Sequence, residues 1–353
     1  MIMHDIGLGV KGRYKAQKYI NRTFDEDGNI LYIGDLVEET SWGDNLMTLN
    51  FFNNAFVSGQ FQLNAVIGLG NGTPSETDNL LQDYVGYTAT LVSSVNVNQA
   101  APDPDGMVYW RRTYRWSFAP MSLGGGTFNI AEAGMVNRTT AGGNPTNTTP
   151  VISRGLLVDE FGVPTAISVN NDYEYLDLFW EYTLYVPAEV TGTITVDIDA
   201  VPTSVDYVTR PCDFNNTVLA TPQWFNLSPD YIGGFLLVIN TSTEVNSGAS
   251  SQARSGPIGA LTGIPTGAYS ASNTMRNVVY DAYVPNSKTR TFTFTWTPGF
   301  GNIAGGVGAI MCKFGASGSG TTMMMQTGYT PKMPKDSDHV MDLGYRLTLA
   351  NYP

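Results

Sequence analysis

His4 and His339 are the only imidazoles in this chain, so a histidine-based nucleophile triad or a multi-histidine metal site lacks its parts. His339 opens a strand whose counterpart earlier in the chain begins at Glu174. A position filled by either residue reads as a solvated strand end. Carboxylates are the next source of chemistry, because paired acids drive glycoside hydrolysis. Asp172, Glu174, Asp177 and Glu181 are crowded together. Asp177 and Glu181, four residues apart on an extended strand, stand roughly 13 Å from each other, which fits neither glycosidase spacing. They read as a wet outer face, as do Asp197 and Asp199.

Other candidates fail on their spacing. Pro102-Asp103-Pro104-Asp105-Gly106 lacks the distal Glu of a calcium loop and reads as a turn. Gly68-x-Gly70-x-Gly72 follows an apolar run, with no helix or basic residue after it to hold a phosphate. Met323-Met324-Met325 reads as core filling. Cys212 and Cys312 are too few for a disulfide framework and read as buried free thiols. The sequence therefore predicts no enzyme, no cofactor and no metal. Trp42, Trp110 and Trp224 lie outside the clearest alternating runs and are the candidate ligand or partner contacts, with core packing as the competing fate.

The elements that would carry these residues are strands. Leu176, Leu178, Trp180, Tyr182, Leu184 and Val186 alternate with Asp177, Glu181, Thr183 and Tyr185. Met341, Leu343, Tyr345, Leu347 and Leu349 alternate with Asp342, Gly344, Arg346 and Thr348. A period of two marks half-buried antiparallel strands. Asp25-Glu26-Asp27-Gly28-Asn29 between two alternating runs predicts a hairpin. The one helical expectation is short, around Thr77 to Tyr84.

Three segments occur twice in the same order. RTYRWSF from Arg112 matches RTFTFTW from Arg290, and NIAEAGM from Asn129 matches NIAGGVG from Asn302. The closing strand from Glu174 matches the one from His339. Repeats of this kind predict an all-β chain of two tandem, duplicated antiparallel β-sandwich domains, jelly-roll-like, at 1–189 and 190–353. Each would hold about seven to nine strands, and TGTITVDID would open the second.

With 353 residues, 14% charged and 42% hydrophobic, the chain is long enough for two cores and is not a disordered polyelectrolyte. A net charge of −12 argues against nucleic-acid binding, which needs clustered Lys and Arg. The start of the chain has no basic-then-apolar leader, and no window is apolar enough for membrane insertion. The expected compartment is a soluble one.

Several runs resemble tail-associated virion proteins of tailed bacteriophages. They are GDNLMT from Gly43, IGLGNGTPSETDNLLQDYVG from Ile67, and TYRWSF with NIAEAGM and the stretch from Ser153 to Tyr185. YTPKMPKDSDHVMDLGYRLTL from Tyr329 completes the set. The resemblance implies a structural component of the virion tail, fibre or baseplate, acting in assembly and host attachment. It implies other virion tail proteins as partners, and the duplication predicts further copies of the chain, a homo-trimer serving as a pseudo-hexamer. It carries over no catalytic residue, and Val205 to Met275 lies outside it. Capsid decoration, a head fibre, or a carbohydrate-binding module contacting a host surface glycan are the alternatives.

Overall fold

The computed structural model describes residues 2–57, 63–85, 89–99, 101–120, 125–137, 145–198, 201–212, 225–226, 250–261, 263–268, 275–277, 279–314 and 322–353. In chain order, the strands are β1 (Ile2–Ile20), β2 (Thr23–Phe24), β3 (Ile30–Tyr32), β4 (Asp35–Glu39) and β5 (Gly43–Met47), followed by helix α1 (Leu49–Val57). Next come β6 (Leu63–Gly68), β7 (Tyr84–Val85), β8 (Thr90–Gln99), β9 (Met107–Phe118), β10 (Thr127–Ile130) and β11 (Glu132–Asn137). They are followed by β12 (Val151–Leu156), β13 (Ile167–Asn170), β14 (Tyr175–Pro187), β15 (Val190–Ile198), β16 (Val201–Pro211) and β17 (Phe225–Asn226). The last are β18 (Ser250–Arg254), β19 (Met275–Asn277), β20 (Val279–Tyr280), β21 (Thr289–Trp296), β22 (Val307–Phe314), β23 (Thr322–Met333) and β24 (Met341–Asn351).

The protein is nearly all β, built from several antiparallel sheets, one of them curled into a half-barrel. The first sheet is organised by β1. One edge of β1 carries β14, antiparallel, from Gly9 to Tyr19. The other edge carries β24 in parallel along Ile2–Val10, then β5 at Gly12–Tyr14, then β4 at Gln17–Ile20. From these partners the sheet extends through β9 and β8, through β21 and β20, and through β12, β11, β6 and β7. Strands from both sides of the expected 189/190 boundary therefore share it. A second sheet runs β15-β16-β23-β22-β18-β19, with β17 beside β23. One hydrophobic cluster draws on both sheets, and Trp110, Trp180, Trp296, Tyr14 and Tyr345 are among its fully buried side chains.

The two aromatic strands pair with their closing strands in the same register. Phe118, Trp116 and Tyr114 face Leu176, Leu178 and Trp180. Trp296, Phe294 and Phe292 face Met341, Leu343 and Tyr345. The arginines that open the two motifs, Arg112 and Arg290, are both buried. The Asn-Ile-Ala runs differ. Ile130 ends β10 and leads into β11 of the first sheet, whereas Ile303 lies in a turn before β22 of the second.

The helix is at α1 and not at Thr77 to Tyr84. Phe51, Phe52, Ala55 and Phe56 are fully buried, and their one-four-five spacing gives a helix a single apolar stripe. Around Thr77 to Tyr84 turns form instead, with Asp78 N donating to the Ser75 carbonyl at 3.0 Å. Ser75 N donates to Asp78 (2.8 Å) and Asp83 N to Glu132 (2.9 Å), which holds turns rather than a helix.

One turn design recurs. In Asp25-Glu26-Asp27-Gly28-Asn29 the first carboxylate accepts the backbone N–H groups of Asp27 and Asn29. Asp103 does the same for Asp105 and Met107, and Asp159 for Phe161 and Val163. The fourth residue is Gly28, Gly106 or Gly162, each with φ between 74° and 82°, where a side chain would be strained. The Pro102 to Gly106 run is thus the turn its spacing predicts.

Candidate functional site

The outward face of β9, β14 and β1 is where the chain gathers its charge. Arg13 on β1 lies opposite Glu181 on β14, which lies opposite Thr113 on β9. Arg13 Nε donates to Glu181 at 2.7 Å, and Arg111 approaches the same carboxylate at 3.3 Å. One step along, Arg22 grips Asp177 through both terminal nitrogens at 3.0 and 2.9 Å, while Arg115 binds the same carboxylate from the other side. The side chains of Asp177 and Arg22 are both 0% exposed.

This corrects the wet face expected of Asp177 and Glu181, since Glu181 is also buried. The chain after β1 folds back over the face, bringing Arg22 with it, and a carboxylate enclosed this way must be matched by charge. The sequence signal for the pairing was Arg13, Arg111 and Arg115 alternating on the neighbouring strands. Asp197, by contrast, is exposed as expected, and Asp199 lies outside the described residues.

The Gly68-x-Gly70-x-Gly72 segment closes on a second buried ionic cluster. Arg154 donates to Glu132 and to Asp78, both at 2.7 Å, and to the Gly72 carbonyl at 2.9 Å. Burial opposes the Arg154 charge, but the hydrogen bonds to Asp78 and Glu132 raise its pKa further. A Cβ at Gly68 or Gly70 would come within 2.6 Å of the Glu132 carboxylate, so these two glycines make room for the cluster.

At the edge of the first charged face, Trp42 is half-buried, with the Arg13 guanidinium 4.8 Å above its ring and Phe179 edge-on at 6.5 Å. It lines a cleft of about 520 Å³ together with Lys15, Glu38, Glu39, Ser41, Asp159 and Thr165. Glu39 accepts from Lys15 and Gln17, which lowers its carboxyl pKa and keeps it an acceptor. An indole flanked by carboxylates and hydroxyls can stack on an apolar sugar face and bind its hydroxyls. Trp110 does not join it. It is 1% exposed in β9, packed at 5.9 Å against the Tyr182 ring, because it falls on the inward phase of a strand that extends further back than the alternation suggested. Trp224 lies outside the described residues.

His339 Nδ1 donates to the Asp336 carboxylate at 2.5 Å on the surface, beside a cleft of about 330 Å³ that Asp197 and Asp342 also line. Backbone donation from Asp338 and the His339 contact hold the Asp336 carboxyl low. No group of three or more metal-ligating side chains occurs among the described residues. Cys212 and Cys312 are buried thiols outside any disulfide, and burial pushes the Cys312 thiol pKa far up. Met325 is buried, in line with core filling.

His4 is a buried group that sequence reasoning left aside. Its Nε2 meets the Tyr329 hydroxyl at 3.0 Å, and its ring lies against Tyr207 and Tyr345. It therefore sits where the first sheet meets the second. Burial lowers its pKa to about 4.

Set against known proteins, the chain matches no family model, no curated protein and no solved structure.

Proposed function

We propose that this protein is a non-enzymatic structural component of a tailed-phage virion, acting in tail, fibre or baseplate assembly and host attachment. The observation that carries the reading is the pair of ladders, β9–β14 and β21–β24, which share a register and flank the same strand, β1. A duplicated sandwich, with domains at 1–189 and 190–353, accounts for that shared register. Three copies would then present six related ladders, suiting a sixfold tail with threefold true symmetry.

Gold-labelled antibody against the chain, imaged on intact particles, tests the assignment. Label on the tail supports it; label on the head favours decoration or a head fibre; no label on any particle overturns it. A stable monomer or dimer released from isolated tails would sink the trimer.

The Trp42 cleft favours a second reading, in which the chain binds a host surface glycan. Glycan-array binding that disappears with Trp42→Ala supports this reading, and an array without signal removes it.

A further inference from the structure

We propose that residues 21–39 form a docking arm for a different protein, one that presents apolar side chains flanked by Lys or Arg. The arm is the β2–β3 hairpin and β4. Six of the seventeen exposed large apolar side chains among the described residues lie within its fourteen positions 24–37: Phe24, Leu31, Tyr32, Ile33, Leu36 and Val37. Leu31 is 70% exposed, and every residue of β4 is exposed. A concentration of this kind marks an interaction surface, whereas scattered apolar residues do not.

The backbone supports the same conclusion. Among the described residues, β2 pairs only with β3, and β4 pairs only with the end of β1. A two-stranded hairpin with no third strand is marginal in water, and the free edge of β4 offers unpaired donors and acceptors.

Charge decides the occupant. Asp25, Glu26, Asp27 and Asp35 give the arm its acidic surplus, Glu38 and Glu39 being matched by Lys18 and Lys15, while its one cation, Arg22, is buried against Asp177. A second copy would bring like charge to like charge, in a chain of net charge −12. Six of the copy's cations are also engaged: Lys11, Lys15, Lys18, Arg115, Arg210 and Lys288 each face a carboxylate of their own chain. Acidic edges repel one another and select a basic partner.

The inference rests on the arm itself and not on the virion reading, so either can fail alone. The test uses the full chain and three fluorescent peptides of alternating Val with Lys, Ser or Glu, read by anisotropy. The Lys peptide should bind at least about tenfold tighter than the Ser peptide, and the Glu peptide should not bind. The triple variant Leu31→Ser, Leu36→Ser, Val37→Ser keeps the net charge and should weaken the Lys peptide by about tenfold. As a second arm variant, Glu26→Gln with Asp27→Asn should weaken it more than removing two charges elsewhere with Asp197→Asn and Asp342→Asn. Equal binding to the native chain and both arm variants overturns the proposal, because it reports only general attraction to an acidic protein. So does sedimentation showing that the native chain self-associates through the arm and that the triple variant does not.

Discussion

On the inner side of β9 and β14, Tyr114, Trp116 and Phe118 meet Trp180, Leu178 and Leu176; on the inner side of β21 and β24, Phe292, Phe294 and Trp296 meet Tyr345, Leu343 and Met341. Turned over, the two ladders have little in common. The first presents Asp177 and Glu181, buried beneath arginines from β1, β9 and the chain that follows β1. The second presents threonines and solvated pairs: Thr295 donates to Asp342 at 2.6 Å, and Arg346 faces Asp5 at 3.5 Å with both side chains at least half exposed. The inner faces do the same physical task, excluding water from large rings. The outer faces are free to differ, and the first is used to anchor a returning segment.

The comparison is sharpest at the core. Trp180→Ala and Trp296→Ala should each cost about 3–5 kcal/mol, since both rings are fully buried. Denaturant unfolding that finds one of them nearly neutral would show that the two inner faces are not equivalent. On the outer faces the ladders should part. Asp177→Asn leaves Arg22 and Arg115 facing each other without a counter-charge and should cost about 3–5 kcal/mol. Asp342→Asn should stay within about 0.5 kcal/mol. Similar losses in the two variants would break the contrast.

Acid supplies the third test. In the folded chain His4 has a pKa of about 4, against about 6.5 when unfolded. Above pH 6.5 the ring is neutral in both states and its contribution is complete. As pH falls from about 6.5 to about 4 the unfolded chain takes up a proton that the folded chain refuses, so about 3 kcal/mol is lost across that window. His4 touches Tyr345 of the second ladder. Amides of β24 should therefore lose hydrogen-exchange protection on acidification before those of β14, and His4→Asn should flatten the dependence. The smallest effect belongs to the turns. Ala at Gly28, Gly106 or Gly162 meets no atom within 4 Å, so each change costs only backbone strain, about 1 kcal/mol. A larger loss at Gly106 alone would mean that the hairpin of the first ladder depends on its turn more than the others do.

Much of this was legible from local pattern. The alternation in β9, β14, β21 and β24 reports which side chains face inward because a strand has a period of two, and the Asp-Gly turns are written in neighbouring residues. The helix was misplaced because Asn53 and Asn54 interrupt the stripe of Phe51, Phe52, Ala55 and Phe56, while the segment after Thr77 only resembles a helix start. Burial of Asp177 was not legible, since its cover comes from Arg22, 155 residues away. Nor does any local signal say that β1 would take β24 as a parallel neighbour, because parallel pairing joins segments distant in sequence. Of the tryptophans, Trp42 kept an accessible position and Trp110 did not, a difference set by strand length that the sequence leaves open.

The parallel junction of β1 with β24 also sets a clock. Ile2 pairs with Leu343 and Val10 with Asn351, so β1 waits for a strand emerging about 340 residues later. At about 5–20 residues per second that delay is roughly 17 to 70 s. Throughout it, Ile6, Leu8 and Val10 have an open edge on the ribosome-bound chain, where a stray strand can pair with it. A chain cut short before Met341 never closes that edge, so β1 cannot be fully paired until β24 has been made.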